Sequence, residues 1–156
     1  HKALWINKNL YCGWNSRLDE VQAMVIRARL ARLNDEQADR NRAAALYDSL
    51  IPAGNRLDTE KLPRGTFVTY HQYWVRTPHR DRLRHLLASD GVDTGVYYDP
   101  PLHKHPLAEY CRQGSPLTRA EEAGREILTL PIHAALPVAQ ARRIGTMVGD
   151  FLKSAG

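Results

Sequence analysis

A chain of 156 residues with 43% hydrophobic and 25% charged residues is long enough to bury one sizeable core, and it has the composition of a globular domain. Its net charge of +5 comes from basic residues that are interleaved with acids, so the sequence predicts a solvated surface and no nucleic-acid partner. No apolar run approaches the ~20 residues of a membrane span, so no membrane partner is predicted.

The first helix is predicted over residues 17–33, after an irregular lead-in at 1–15. Ser16 and Asp19 have the spacing of a capping box at its start. Apolar residues fall on two sides of this helix, which predicts burial against two partners, as in a helix that joins two domains or lies at a subunit contact. The two stripes are Leu18, Val21, Val25 and Ala28, and Ile26, Leu30 and Leu33.

A second helix is predicted over residues 35–50, with Asn34 as its cap. Residues 66–76 are β-branched and aromatic, which predicts a strand. Pro78 then predicts the start of a helix over 79–89.

The remainder of the chain alternates short predicted elements. They are a strand at 94–98, a loop broken by Pro100 and Pro101, a helix at 106–113, a helix at 119–127 capped by Thr118, a strand or extended segment at 128–132, and a helix at 138–153 begun by Pro137. This order indicates an α/β or α+β fold in which helices flank a small sheet.

The sequence predicts no metal site. Cys12 and Cys111 stand alone, and the His103-x-His105 pair has no third ligand at a suitable spacing. Two lone cysteines form no disulfide framework, which favours a reducing, cytoplasmic location.

Four sequence blocks, in order, cover nearly the whole chain. Residues 13–23 have the pattern Gly-x-Asn-x-Arg-Leu-x-Glu-x-Gln-Ala. The others are Tyr-His-Gln-Tyr with its strand at 70–76, Gly-Val-Tyr-Tyr-Asp-Pro-Pro-Leu-His at 95–103, and Ala-Glu followed by Ile-Leu-Thr-Leu-Pro-Ile-His within 120–133. Together they resemble the DegT/StrS family of pyridoxal phosphate (PLP) aminotransferases, which act on sugar nucleotides and cyclitols.

This resemblance implies the C-terminal small domain of a fold-type I PLP enzyme. Family members are more than twice as long, and their Schiff-base lysine lies upstream of the first block. The chain is therefore expected to be a C-terminal piece that contains no catalytic residue and is inactive alone. Residues 1–16 would form the lead-in and cofactor-phosphate loop, and 17–156 the small domain with an interdomain helix at its start.

Asn15 and Arg17 are the candidate residues of the first block. The amide of Asn15 could donate to a phosphate beside a helix N-terminus, or satisfy only its own turn. The resemblance implies that Asn15 contacts the PLP phosphate of the other subunit in a homodimer. Arg17 could grip a substrate anion of the neighbouring site, or pair with Asp19 or Glu20.

Tyr97, Tyr98 and His103 are the candidate substrate-binding residues of the proline-rich loop. Hydroxyl and imidazole groups suit recognition of a sugar or a pyrophosphate, although loop packing is an equally open explanation. The resemblance implies that this loop lies near the mouth of the active site. The aromatic residues of 70–73 are expected to pack in the core instead.

The resemblance implies transfer of an amino group from an amino acid, with glutamate as the expected donor, to a keto-sugar nucleotide or cyclitol. Two alternatives stay open from the sequence. One is a sugar dehydratase of the same family, in which histidine replaces the upstream lysine. The other is a non-catalytic binding or regulatory module.

Overall fold

Five α-helices and a two-stranded antiparallel sheet form the part of the chain that the computed structural model describes, residues 18–110 and 114–155. In chain order the elements are α1 (Glu20–Leu30), α2 (Leu33–Leu50), β1 (Tyr73–Arg76), α3 (Arg80–Ser89), α4 (Thr118–Glu126), β2 (Ile127–Leu130) and α5 (Val138–Ala155). Short 3₁₀ turns lie at Ala53–Asn55, Thr59–Lys61, Leu102–Lys104 and Pro106–Tyr110. The expected small sheet flanked by helices is confirmed. None of the described helices is long and apolar enough to cross a membrane.

The sheet pairs β1 with β2 over four residues each, from Tyr73 opposite Leu130 to Arg76 opposite Ile127. Val75 and its partner Leu128 are fully buried, because their side chains share the face that the helices cover. The sheet is thus short but central to the core.

The helical layer of the core depends on a close approach between α2 and α5. Tyr47 of α2 is fully buried, and its hydroxyl donates to the Pro131 carbonyl at 2.8 Å. A Cβ at Gly149 of α5 would overlap the backbone carbonyl of Leu50, so the absence of a side chain there permits the contact. Other buried members of this core are Leu83, Leu87, Ala141, Ile144, Val148 and Leu152.

The predicted strand at 66–76 is much shorter in the structure, because its first part is held by side chains of α2. The Gln37 amide donates to the Thr69 carbonyl at 2.9 Å, and Arg40 Nε donates to the same oxygen at 3.3 Å. Tyr70 has a φ of +44°, which turns the chain out of the extended region. Only Tyr73–Arg76 pairs as a strand.

Two other short elements also differ from the prediction. The strand predicted at 94–98 is reduced to a single bridge between Gly95 and Thr129. The helix predicted at 106–113 is a 3₁₀ segment over Pro106–Tyr110, as far as the described residues extend. Both lie beside prolines or glycines that limit regular hydrogen bonding.

Three of the predicted helix caps differ from what the structure describes. α1 is capped by Asp19, whose carboxylate accepts from the Gln22 amide at 2.8 Å, and the predicted cap Ser16 lies outside the described residues. Asn34 lies inside α2, because a tight turn lets that helix begin at Leu33. Thr118 is the first residue of α4 and makes no capping contact there.

α1 buries none of its residues against the described part of the chain. Val21 and Met24 are each 72% exposed, so the predicted two-sided packing is not formed within these residues. An apolar helix of this kind needs a covering partner.

Candidate functional site

A polar cleft of about 280 Å³ lies beside the sheet, next to one of the predicted substrate residues. Three stretches of chain meet there: the residues before β1, the turn after α3, and the end of β2. The lining residues are His71, Gln72, Asp93, Thr94, Gly95, Tyr97, Thr129, Leu130, Pro131 and Ile132. Its carboxylate, amide, hydroxyl and imidazole groups can donate to and accept from a polyhydroxylated ligand.

The pairing of Gly95 with Thr129 brings the turn after α3 to the sheet. The Thr129 amide donates to the Gly95 carbonyl at 2.8 Å, and the Gly95 amide donates back at 3.2 Å. The Thr129 hydroxyl also donates to the Gly95 carbonyl, at 2.9 Å. This bridge fixes Asp93 and Thr94 at one wall of the cleft.

Tyr97 lies over Gly95 at the cleft wall. A Cβ at Gly95 would come within 2.6 Å of the Tyr97 ring and 2.7 Å of the Thr129 hydroxyl, so only glycine leaves room for the ring. Tyr97 stays 39% exposed and can therefore meet a ligand.

Tyr98 is placed differently from its neighbour. Its ring meets that of Tyr97 edge-on, with centroids 5.3 Å apart and planes 70° apart. Tyr98 is 56% exposed and is not among the residues that line the cleft. The structure thus brings the two tyrosines together but gives only Tyr97 to the cleft.

His103 is directed at α4. Its Nε2 lies 3.1 Å from Oε1 of Glu121, and Lys104 Nζ lies at the same distance from that oxygen. The hydrogen bond from His103, followed by that from Lys104, holds the pKa of Glu121 below its ordinary value. With its side chain only 12% exposed, His103 presents little surface to a ligand.

A second cleft of about 290 Å³ adjoins the first through His71 and Gln72. Tyr73 is one of the residues that line it, and the Tyr73 hydroxyl donates to Asp48 at 2.8 Å. Burial, with this hydrogen bond, raises the pKa of Tyr73. Tyr73 is 3% exposed, which confirms the prediction that this aromatic residue packs in the core.

Sequence reasoning missed Gln72, Asp93, Thr94 and Thr129 as members of one site. They are far apart in the sequence, and only the Gly95–Thr129 bridge brings them together. The polar Asp93-Thr94 pair just before the predicted strand at 94–98 was the one local signal that could have found them.

Residues 2–149 match the DegT/DnrJ/EryC1/StrS aminotransferase family. The chain belongs to this family. Among curated relatives, it is 34% identical over 144 residues to "Pleiotropic regulatory protein" of Geobacillus stearothermophilus, covering 90% of this chain and 39% of that protein. It is 38% identical over 141 residues to dTDP-3-amino-3,4,6-trideoxy-alpha-D-glucose transaminase of Streptomyces venezuelae, covering 89% and 37%.

The crystal structure of S. venezuelae DesV in complex with a ketimine intermediate gives a TM-score of 0.77 at 37% identity. The match covers 92% of this chain and 39% of that one. The fold is therefore the one found in fold-type I aminotransferases of the DegT/DnrJ/EryC1/StrS family. The chain spans about two fifths of the length of the relatives it matches.

The described lysines do not suit covalent attachment of PLP, the cofactor of this family. Such a lysine needs a buried setting that lowers its pKa. Lys61 is 83% exposed, and its hydrogen bond to Asp58 raises its pKa. Lys104 is 53% exposed and bound to Glu121, and Lys153 is exposed near the end of α5.

Asn15 and Arg17, the predicted residues of the first family block, lie outside the described residues. The two cysteines, Cys12 and Cys111, also lie outside them. Their predicted roles therefore stay predictions. Within the described residues, no group of three His, Cys, Asp or Glu side chains could hold a metal ion.

Proposed function

We propose that this chain is the C-terminal small-domain part of a PLP-dependent aminotransferase. The reaction is transfer of an amino group from glutamate to a keto-sugar nucleotide or cyclitol. The observation that carries the proposal is the family match over residues 2–149, supported by a fold likeness that covers 92% of the chain.

In this proposal, the cofactor supplies the electron sink for nitrogen transfer, and the protein supplies orientation and electrostatics. The polar cleft receives part of the sugar nucleotide. The Tyr97 hydroxyl and the Gln72 amide hydrogen-bond to sugar hydroxyls, and the Asp93 carboxylate accepts from them. Tyr98 and His103 shape the loop that carries Tyr97.

The first block of the sequence serves the partner subunit. Asn15 donates to the PLP phosphate across a homodimer, and Arg17 lies near the substrate anion of that same site. The division into residues 1–16 and 17–156 follows from this role. The exposed apolar residues of α1 are covered by another domain or by the partner subunit. The sequence has two cysteines, too few for a disulfide framework, which favours a cytoplasmic enzyme.

The two alternative functions, a sugar dehydratase and a regulatory module, would each leave a different product when the protein is incubated with a keto-sugar nucleotide. A dehydratase of this family would release a deoxygenated sugar that contains no new nitrogen. A regulatory module would leave the sugar unchanged, and one relative of this chain is named "Pleiotropic regulatory protein".

The test uses the full-length protein with PLP, nitrogen-labelled glutamate and a panel of keto-sugar nucleotides. The proposal predicts a labelled amino sugar and an equal amount of 2-oxoglutarate, measured by mass spectrometry. Loss of a sugar hydroxyl without nitrogen gain would identify a dehydratase. No change in any sugar, with a folded protein, would contradict both enzymatic functions.

A further inference from the structure

A buried arginine connects α3 to the loop that carries Tyr97 and Tyr98. Arg80 has a side chain only 9% exposed, and its Nη2 lies 2.9 Å from Oδ2 of Asp99. Its Nη1 donates to the Gly124 carbonyl of α4 at 3.4 Å. Its Nε lies 2.6 Å from Oδ1 of Asp81, a carboxylate that is 83% exposed.

Of the two carboxylates, Asp99 matters more for the shape of the site. A guanidinium that is removed from water requires an anionic partner, and Asp99 supplies one from the loop itself. Asp99 directly follows Tyr98 and precedes Pro100 and Pro101, whose rings fix their backbone φ angles. Holding its carboxylate therefore restricts where the backbone of the two tyrosines can lie.

The loop that carries Tyr97 and Tyr98 also packs closely against α4, at Gly124. A Cβ at Gly124 would lie 3.0 Å from the Tyr98 carbonyl oxygen and 3.5 Å from Cδ of Pro101. The loop backbone thus approaches the helix so closely that a methyl group at residue 124 would be crowded. Since Arg80 binds both Asp99 and Gly124, it joins the loop to this helix.

We propose that Arg80 is a positioning residue for the sugar substrate, acting through Asp99 to hold Tyr97 at the wall of the polar cleft. This role rests on the proposed aminotransferase function. Neither Arg80 nor Asp99 lines the cleft, so both would act on the sugar only through the position of Tyr97. Loss of the pair lets the loop shift, and a misplacement of about 1 Å can cost up to about a hundredfold in rate.

The test compares Arg80→Met, Asp99→Asn and their double variant in the full-length protein. Calorimetry measures the Kd for the nucleotide-sugar product, and steady-state kinetics give KM for the sugar. A separate assay measures 2-oxoglutarate release from glutamate in the absence of sugar. Each single variant should weaken sugar binding at least about tenfold, the double variant no further, and 2-oxoglutarate release should be unchanged.

Asp81→Asn is the matched control, because it removes the other carboxylate beside Arg80 and leaves Asp99 in place. It should bind sugar as the wild type does. Arg80→Lys keeps the positive charge and should recover part of the affinity. If Arg80→Met fails to fold, Asp99→Asn carries the test, since the Asp99 side chain is 38% exposed.

Three results would overturn the positioning role. One is wild-type sugar binding in both single variants of an active enzyme. Another is an equal loss in the glutamate and sugar steps with a lowered Tm, which would show a merely structural contact. Absence of amino transfer in the wild type would overturn the proposed function itself and this role with it.

Discussion

His103 Nε2 lies 3.1 Å from Oε1 of Glu121, which ties the end of the proline-rich loop to α4. Lys104 reaches the same oxygen, so one carboxylate holds two adjacent loop residues. The C-terminal end of the family block at 95–103 therefore packs against α4 through His103. Tyr97, near the other end of this block, lines the polar cleft.

Glu121 should titrate at lower pH than an ordinary glutamate. Hydrogen bonds from His103 and Lys104 favour its ionised form, and they lower its pKa from the ordinary value of 4.5. The ionised Glu121 therefore stabilises the folded protein above pH 4.5, and this contribution is lost as the pH falls through the lower pKa of Glu121 in the folded state. Carboxyl NMR of the labelled protein measures the midpoint.

His103→Ala should raise that midpoint, because it removes the largest cause of the shift. Lys104→Met serves as the comparison and should raise it less. An unchanged midpoint in His103→Ala would mean that the hydrogen bond is not formed in solution.

Gly149→Ala should destabilise the protein by about 1–3 kcal/mol, because the added methyl group forces α5 away from Leu50. Helix propensity alone would make the alanine variant more stable by about 1 kcal/mol. The sign of the change in unfolding free energy therefore shows whether crowding against Leu50 or helix propensity dominates. Urea unfolding measures the change in free energy.

Thr146→Ala is the control for helix propensity. Thr146 is exposed on the same helix, and its replacement should stabilise by no more than about 0.7 kcal/mol. A Gly149→Ala protein as stable as the wild type would show that α2 and α5 do not pack this closely.

Of the seven tyrosines, Tyr47 and Tyr73 should resist ionisation in alkali most strongly, while the pKa of Tyr70 is also raised by burial. Burial raises the pKa of Tyr47 and Tyr73 above the ordinary value of 10, and the hydrogen bond to Asp48 raises that of Tyr73 further. Their contribution to stability is complete below pH 10 and declines as the pH rises toward the folded-state values. Tyrosinate absorbance, recorded with circular dichroism, measures both events.

Tyr73→Phe should remove one late-titrating group from this absorbance curve, and Asp48→Asn should lower the pKa of the Tyr73 that remains. Ionisation of all seven tyrosines together while the protein is still folded would contradict the burial of Tyr47 and Tyr73 in the core.

α1 should be covered in the full-length protein, because Val21 and Met24 are too exposed in the described chain for a helix without partners. Hydrogen exchange of the α1 amides should be slow in the proposed full-length homodimer and faster in this chain alone. α3, which is buried through Leu83 and Leu87, should exchange alike in both and serves as the internal reference. Fast α1 exchange in the dimer would contradict an interdomain or subunit contact.

Local patterns were sufficient to predict the five described α-helices, apart from their caps, and the centre of the sheet. The alternation at Tyr73–Arg76 and the apolar positions of α5 are periodic, and burial follows that periodicity. The same β-branched pattern over 66–72 failed, because Gln37 takes the Thr69 carbonyl and Tyr70 turns the backbone. Those contacts come from a distant helix and leave no local signal.

The candidate site was predictable only in part. Tyr97 was expected from its loop, and the structure gives it a polar cleft. The cleft partners Asp93 and Thr129 depend on a bridge between separate parts of the chain. Likewise, the contact between His103 and Glu121 spans 18 residues, so the sequence could not show which side of the loop His103 faces.

Asn15 of the full-length enzyme offers the most direct test of the proposed active site shared between subunits. Asn15→Ala should weaken PLP binding by roughly 1.5–3 kcal/mol, about ten- to hundredfold, since it removes a hydrogen bond to a charged group. The decisive measurement mixes an Asn15→Ala subunit with one that lacks the Schiff-base lysine. One site of each heterodimer then combines an intact lysine with an intact Asn15, and amino transfer should partly recover. No recovery in verified heterodimers would contradict a contribution of Asn15 across the dimer.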